Sequence, residues 1–139
     1  MKIILSIVTL LISFNSLAKD LPPIIEQGFE QYRANGSKEA IIAWIKDSSI
    51  ENNQDAIAQS NQLNYIEDFF GPYEGYDLFK SNSLGERSNL YLVTINYGKG
   101  VVYAKFFTYK TKSGKEVMQT FNFNTEVDKV WPSFMVYAQ

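Results

Sequence analysis

The chain has 139 residues, a formal net charge of −2, and neither cysteine nor histidine. Those absences exclude disulfides, thiol nucleophiles, histidine acid–base chemistry and most transition-metal sites, so no metal or cofactor is read from the sequence. The mildly acidic balance argues against a dedicated nucleic-acid binder.

Lys2 followed by the uncharged run IILSIVTLLISF, ending at Ser16-x-Ala18, has the pattern of a secretory signal peptide cleaved after Ala18. The run is shorter than the ~20 apolar residues of a membrane span. Residues 1–18 are therefore expected as a leader, and residues 19–139 as one domain without a span after cleavage. The expected location is the bacterial periplasm or the medium. A domain of this size buries roughly two-thirds of its unfolded surface, and without cysteines its core alone must hold it.

Helical spacing comes first. PPIIEQGFEQYRAN places Ile25, Phe29 and Tyr32 on one face and stops at Asn35-Gly36. Ser37 is the expected N-cap of a second helix, KEAIIAWIKD, with Ile41, Trp44 and Ile45 on its buried side. A loop over residues 48–53 leads to QDAIAQSNQLNYIEDFF, whose inner face carries Ala56, Leu63, Ile66 and Phe70. From Asp47 to Asp77 every charge is negative, whereas from Lys80 to Lys115 Glu86 is the one acid among seven basic residues. Helices and sheet are thus complementary at their rims, where an exposed pair contributes ~0–1 kcal/mol.

The stretch YIEDFFGPYEGYD reads as a corner from helix to sheet. Gly71 and Pro72 end the helix, and the aromatic rings close that end of the core. Glu67 and Asp68 point about 100° apart on a helix, so they do not converge on one substrate. Glu67 remains the one weak catalytic candidate, as a carboxylate base beside tyrosines such as Tyr32 and Tyr103. No phosphate-binding loop and no serine-hydrolase elbow is present.

A meander follows: EGYDLFKS, SNLYLVTINY, VVYAKFFTYK and KEVMQTFNFN. Gly98-Lys99-Gly100 is taken as a hairpin loop with Tyr97 opposite Val101, and Lys112 opposite Lys115 across the next turn. In that register Leu90, Leu92, Thr94, Val102, Ala104, Phe106, Phe121 and Phe123 face the helices. Tyr91, Val93, Ile95, Tyr97, Tyr103, Lys105, Phe107, Tyr109, Met118, Asn122 and Asn124 take the other side. An aromatic outer face is either an interface or a curved surface wrapped by its own chain, with VWPSFMVY covering it. Asn124 or Thr125 is expected to cap the Glu-Val-Asp turn before that segment.

With the helices first and the meander second, QLNYIEDFFGPYEGYDL, YLVTINYGKGVVYAKFF and FNFNTEVDKVWP resemble the nuclear transport factor 2-like, or SnoaL-like, superfamily, and more closely its small exported members. The resemblance implies a cystatin-like, cone-shaped α+β roll: three N-terminal helices on a curved, roughly four-stranded antiparallel meander sheet, often dimeric through the sheet's outer face. It departs from the pattern in having no strand or hairpin between Asp47 and Asn53. The superfamily holds isomerases and dehydratases beside non-catalytic binding domains, so the fold does not choose among them. Three roles follow. The first is association with a second copy or another envelope protein through Tyr91, Ile95, Tyr97, Tyr103, Phe107 and Tyr109. The second is carriage of a small apolar ligand among Tyr32, Trp44, Glu67, Phe70 and Phe106. The third is isomerase or lyase chemistry at Glu67.

Overall fold

A computed structural model describes residues 21–137; the expected leader lies outside them. Three helices come first: α1 (Pro23–Asn35), α2 (Ser37–Ile45) and α3 (Gln54–Phe70). Four strands follow: β1 (Tyr73–Ser83), β2 (Ser88–Tyr97), β3 (Gly100–Lys110) and β4 (Glu116–Asn124). A 3-10 turn (Val127–Lys129) and a short helix, α4 (Ser133–Tyr137), come last. The strands form one antiparallel sheet in the order β1-β2-β3-β4, so the α+β architecture expected from the sequence is the one observed.

Local chemistry sets the helix ends. Pro22 and Pro23 open α1, where a missing N–H costs nothing, and Gly36 ends it at φ 97°, a conformation that side chains resist. Ser37 is not the cap of α2, because Gly36 occupies that position. The Ser37 hydroxyl instead lies in the first turn, shared between the Ser60 carbonyl (3.1 Å) and Asn64 Oδ1 (2.7 Å), and ties α2 to α3. Asn53 caps α3, its Oδ1 accepting from the Ala56 N–H at 2.9 Å.

The core lies between the helices and one face of the sheet. Ile25, Phe29, Tyr32, Ile41, Trp44, Ile45, Leu63 and Ile66 enter it, the faces that helical spacing predicts. Trp44 meets Phe29 and Phe106 edge-on, each with ring centres 5.1 Å apart, and its indole N–H donates to the Ile25 carbonyl at 3.0 Å. Each such fully buried aromatic contributes about 1.5–3 kcal/mol. Gly28 makes the arrangement possible: a β-carbon there would lie 2.0 Å from the indole.

The sheet register differs from the expected one, and the faces change with it. Tyr97 pairs with Gly100, not Val101, so the β2–β3 turn contains only Gly98 and Lys99. A one-residue slip turns a whole strand over. Tyr91, Val93, Ile95 and Tyr97 therefore face the helices, while Leu90, Leu92 and Thr94 face away. The cause lies outside the hairpin. The Lys99 N–H donates to the Phe70 carbonyl (2.6 Å) and the Gly98 N–H to the Pro72 carbonyl (3.1 Å), while the Phe70 ring lies against Gly100. The end of α3 thus clamps the tip of the turn.

Met118 is corrected as well. A bulge between Phe107 and Thr108 shifts the β3–β4 pairing, placing Met118 opposite Thr108 and in the core. Beyond it, toward Asn124, the expected register holds, with Phe106 opposite Phe121 and Ala104 opposite Phe123.

Candidate functional site

The corner at residues 65–77 is tied together by its own hydrogen bonds. The Gly71 N–H donates to the Glu67 carbonyl (2.8 Å), and Glu67 Oε1 accepts from the Tyr73 N–H (3.1 Å). Gly71 adopts φ 90°, as a residue ending a helix in a sharp turn must. Glu67 therefore uses its carboxylate to hold the start of β1. Tyr65 and Phe69 project from α3 into solvent, and Phe70 is half-buried.

Of the expected ligand pocket, Tyr32, Trp44 and Phe106 are core residues, whereas Phe70 and Glu67 are half-buried at the corner. The rings of Phe29, Trp44, Phe106 and Phe121 occupy the space between helices and sheet. What gathers there is a tyrosine cluster. The hydroxyls of Tyr32 and Tyr97 are hydrogen-bonded at 3.1 Å, and the Tyr73 ring stacks on Tyr32 with centres 4.3 Å apart. Burial pushes both Tyr32 and Tyr97 well above the ordinary phenol range, and the Glu67 charge adds to the rise. Tyr73 is pushed up to about 12 by burial, against the pull of Arg33. Its hydroxyl is buried with no hydrogen-bond partner among the described residues. Glu67 and Tyr32 are thus neighbours, but Tyr103 lies on the opposite face of the sheet, so the trio of Glu67, Tyr32 and Tyr103 is not assembled.

The expected interface divides in two. Tyr91, Ile95 and Tyr97 belong to the helix-facing core, with Ile95 fully buried. Tyr103, Phe107 and Tyr109 lie on the outer face, all half-buried. The C-terminal segment lies over part of that face. Trp131 packs against Leu90 and Leu92 with Val130 and Met135, stacks on Phe79 (4.7 Å), meets Tyr103 edge-on (5.2 Å) and donates its indole N–H to the Ala104 carbonyl (2.9 Å). Asn124 Oδ1 accepts from the Glu126 N–H at 2.9 Å, but the 3-10 turn begins one residue later than expected, with Glu126 at its N-cap and no side-chain cap, so neither Asn124 nor Thr125 caps it. Cations cover two more rings: the Arg87 guanidinium lies 4.6 Å from the centre of Tyr109, and the Lys105 ammonium 5.6 Å from that of Phe107. Phe79, stacked on Trp131, is 52% exposed, and Phe134 and Tyr137 of α4 are 71% and 65% exposed.

Sequence reasoning did not find one polar constellation. Glu116 Oε1 accepts from Asn89 Nδ2 (3.2 Å), Tyr91 OH (3.0 Å) and the Thr108 hydroxyl, beside a cleft of about 480 Å³. Burial, then Glu116 itself, pushes Tyr91 up to about 12. These residues are far apart in sequence, and no spacing announces them.

Among the described residues, no group of three or more acidic side chains could hold a metal ion, and no helix is long and apolar enough to cross a membrane. Comparison with protein-family models, with curated proteins and with solved structures finds no match.

Proposed function

We propose that this chain is a small exported domain of nuclear transport factor 2-like architecture that acts without catalysis, by pairing with a second copy through the outer side of its sheet. One observation carries the reading: Phe79, stacked on Trp131, and Phe134 and Tyr137 of the C-terminal segment are all more than half exposed, so a monomer leaves large rings in water. Charge favours a second copy as the occupant. Glu126 pairs with Lys129, and Asp77 and Lys80 both lie on the outer side of β1, so that side carries both signs of charge and a two-fold copy of it is not repelled. The order of helices and meander supports the family resemblance, and the absence of a strand between α2 and α3 is its departure.

The carrier reading is disfavoured because Trp44 and Phe106, expected to line a pocket, pack against each other and against Phe29. The isomerase reading is disfavoured because Glu67 is engaged with a backbone amide and Tyr103 lies on the far face.

Native mass spectrometry of residues 19–139 tests the proposal. A dimer that becomes a folded monomer in Phe134→Asp/Tyr137→Asp is expected. A wild-type monomer at every concentration overturns the reading, and a monomer carrying extra mass replaces it with the carrier. Export is tested by sequencing the protein recovered outside the cytoplasm, which should begin at Lys19.

A further inference from the structure

At the end of the sheet opposite the tyrosine cluster, the start of α1, the turn after α2 and the β3–β4 hairpin enclose a cleft of about 480 Å³, within the ~300–1,000 Å³ of small-molecule sites. Its polar wall is built from inside. Thr108, 1% exposed, and Tyr91, 6% exposed, both donate to Glu116 Oε1, as does Asn89. Three donors on one oxygen fix the carboxylate, while its Oε2 accepts no hydrogen bond from the described residues. The Lys115 ammonium pairs with Asp47 across the mouth, joining the hairpin to the α2–α3 turn. Lys46 and Lys110 also line the cleft, and neither forms an ion pair among the described residues. Pro23 and Ile24 supply an apolar side.

The cleft therefore presents a fixed anion with a spare lone-pair edge, two uncommitted ammonium groups and a small hydrophobic wall. We propose that it binds a small zwitterion of amino-acid or dipeptide size. The ligand's ammonium meets Glu116 Oε2, its carboxylate meets Lys46 and Lys110, and its side chain lies on Pro23 and Ile24. A simple anion would leave Glu116 Oε2 without a partner, and a simple amine would leave both lysines without one. This proposal is independent of the pairing of copies.

Backbone-amide NMR titration of residues 19–139 tests it. The probes are leucine and alanyl-leucine, with N-acetyl-leucine (no ammonium) and leucinamide (no carboxylate) as blocked forms. Saturable shifts at Gln27, Lys46 and Gly114 are expected with the zwitterions. Binding about tenfold weaker is expected for either blocked form, and for leucine with Lys110→Met or Glu116→Gln. Lys110 is exposed at a strand end, so its variant keeps the test valid if Glu116→Gln fails to fold. Absence of saturation by either zwitterion overturns the proposal. So does equal binding of the blocked forms, or of leucine by Lys110→Met.

Discussion

The Phe70 ring, at the end of α3, lies so close over Gly100 that a β-carbon there would come 2.5 Å from its Cδ1. Together with the amides of Gly98 and Lys99 held by the Pro72 and Phe70 carbonyls, this contact sets the two-residue turn and therefore the face that β2 presents. Gly100→Val should cost about 1–3 kcal/mol, as overpacking does. Phe70→Ala should relieve much of that cost, so the two changes together should cost less than their sum in urea unfolding. Strict additivity would show that the ring and Gly100 do not touch.

The helices were legible because their spacing and their breakers are local: Ile25, Phe29 and Tyr32 follow one stripe, and Gly36 and Gly71 end helices by backbone preference. The face of β2 was not, because Tyr91, Val93, Ile95 and Tyr97 alternate with Leu90, Leu92 and Thr94, and either set makes an acceptable core. Only the docking of Phe70 decides between them. Met118 depends on a bulge with no glycine or proline to announce it. The cleft at Glu116 was illegible for a different reason: Asn89, Tyr91, Thr108 and Lys46 meet it only once the sheet and helices have packed.

Gly28 supports Trp44 by having no side chain. A β-carbon at 2.0 Å from the indole forces a rigid ring to move, and the ring is fully buried against Phe29 and Phe106. Gly28→Ala should therefore lower stability by about 1–3 kcal/mol although alanine favours helices. A red shift in tryptophan emission should accompany it. A more stable Gly28→Ala would mean that α1 and α2 lie too far apart for Gly28 to touch the indole.

Alkaline pH should unfold the protein before it charges the buried phenols. Tyr73 and Tyr91 are pushed up to about 12, and Tyr32 and Tyr97 lie higher still. The unfolded chain releases these protons near the ordinary value of about 10. Where the unfolded state binds fewer protons, stability falls as pH rises. The tyrosine contribution is thus complete below about pH 10 and is lost upward from there. Urea midpoints should drop across that range, with the phenolate absorbance of these four buried rings appearing together with unfolding. Tyr32→Phe/Tyr97→Phe removes both members of the hydroxyl pair, so it should change stability near neutrality by less than about 1 kcal/mol and make the alkaline fall shallower. Phenolate absorbance complete at about pH 10 in a still folded protein would contradict the burial of these rings.

Tyr97 and Tyr109 separate the two sides of the sheet. Tyr97 is 4% exposed and hydrogen-bonded to Tyr32, whereas Tyr109 is half-buried on the outer face beneath Arg87. Tyr97→Asp puts a carboxylate into a core that offers it a single hydroxyl, costing several kcal/mol out of a total stability of about 5–15. Cooperative unfolding by circular dichroism should be weakened or lost. Tyr109→Asp keeps its charge in reach of water and of Arg87, so its melting transition should stay close to that of the wild type. If Tyr97→Asp folded normally, Tyr97 would have to point outward, and Tyr91 and Ile95 with it, because a one-residue slip moves a whole strand face together. The aromatic side of β2 would then lie in solvent, and the interface would have to be drawn through it.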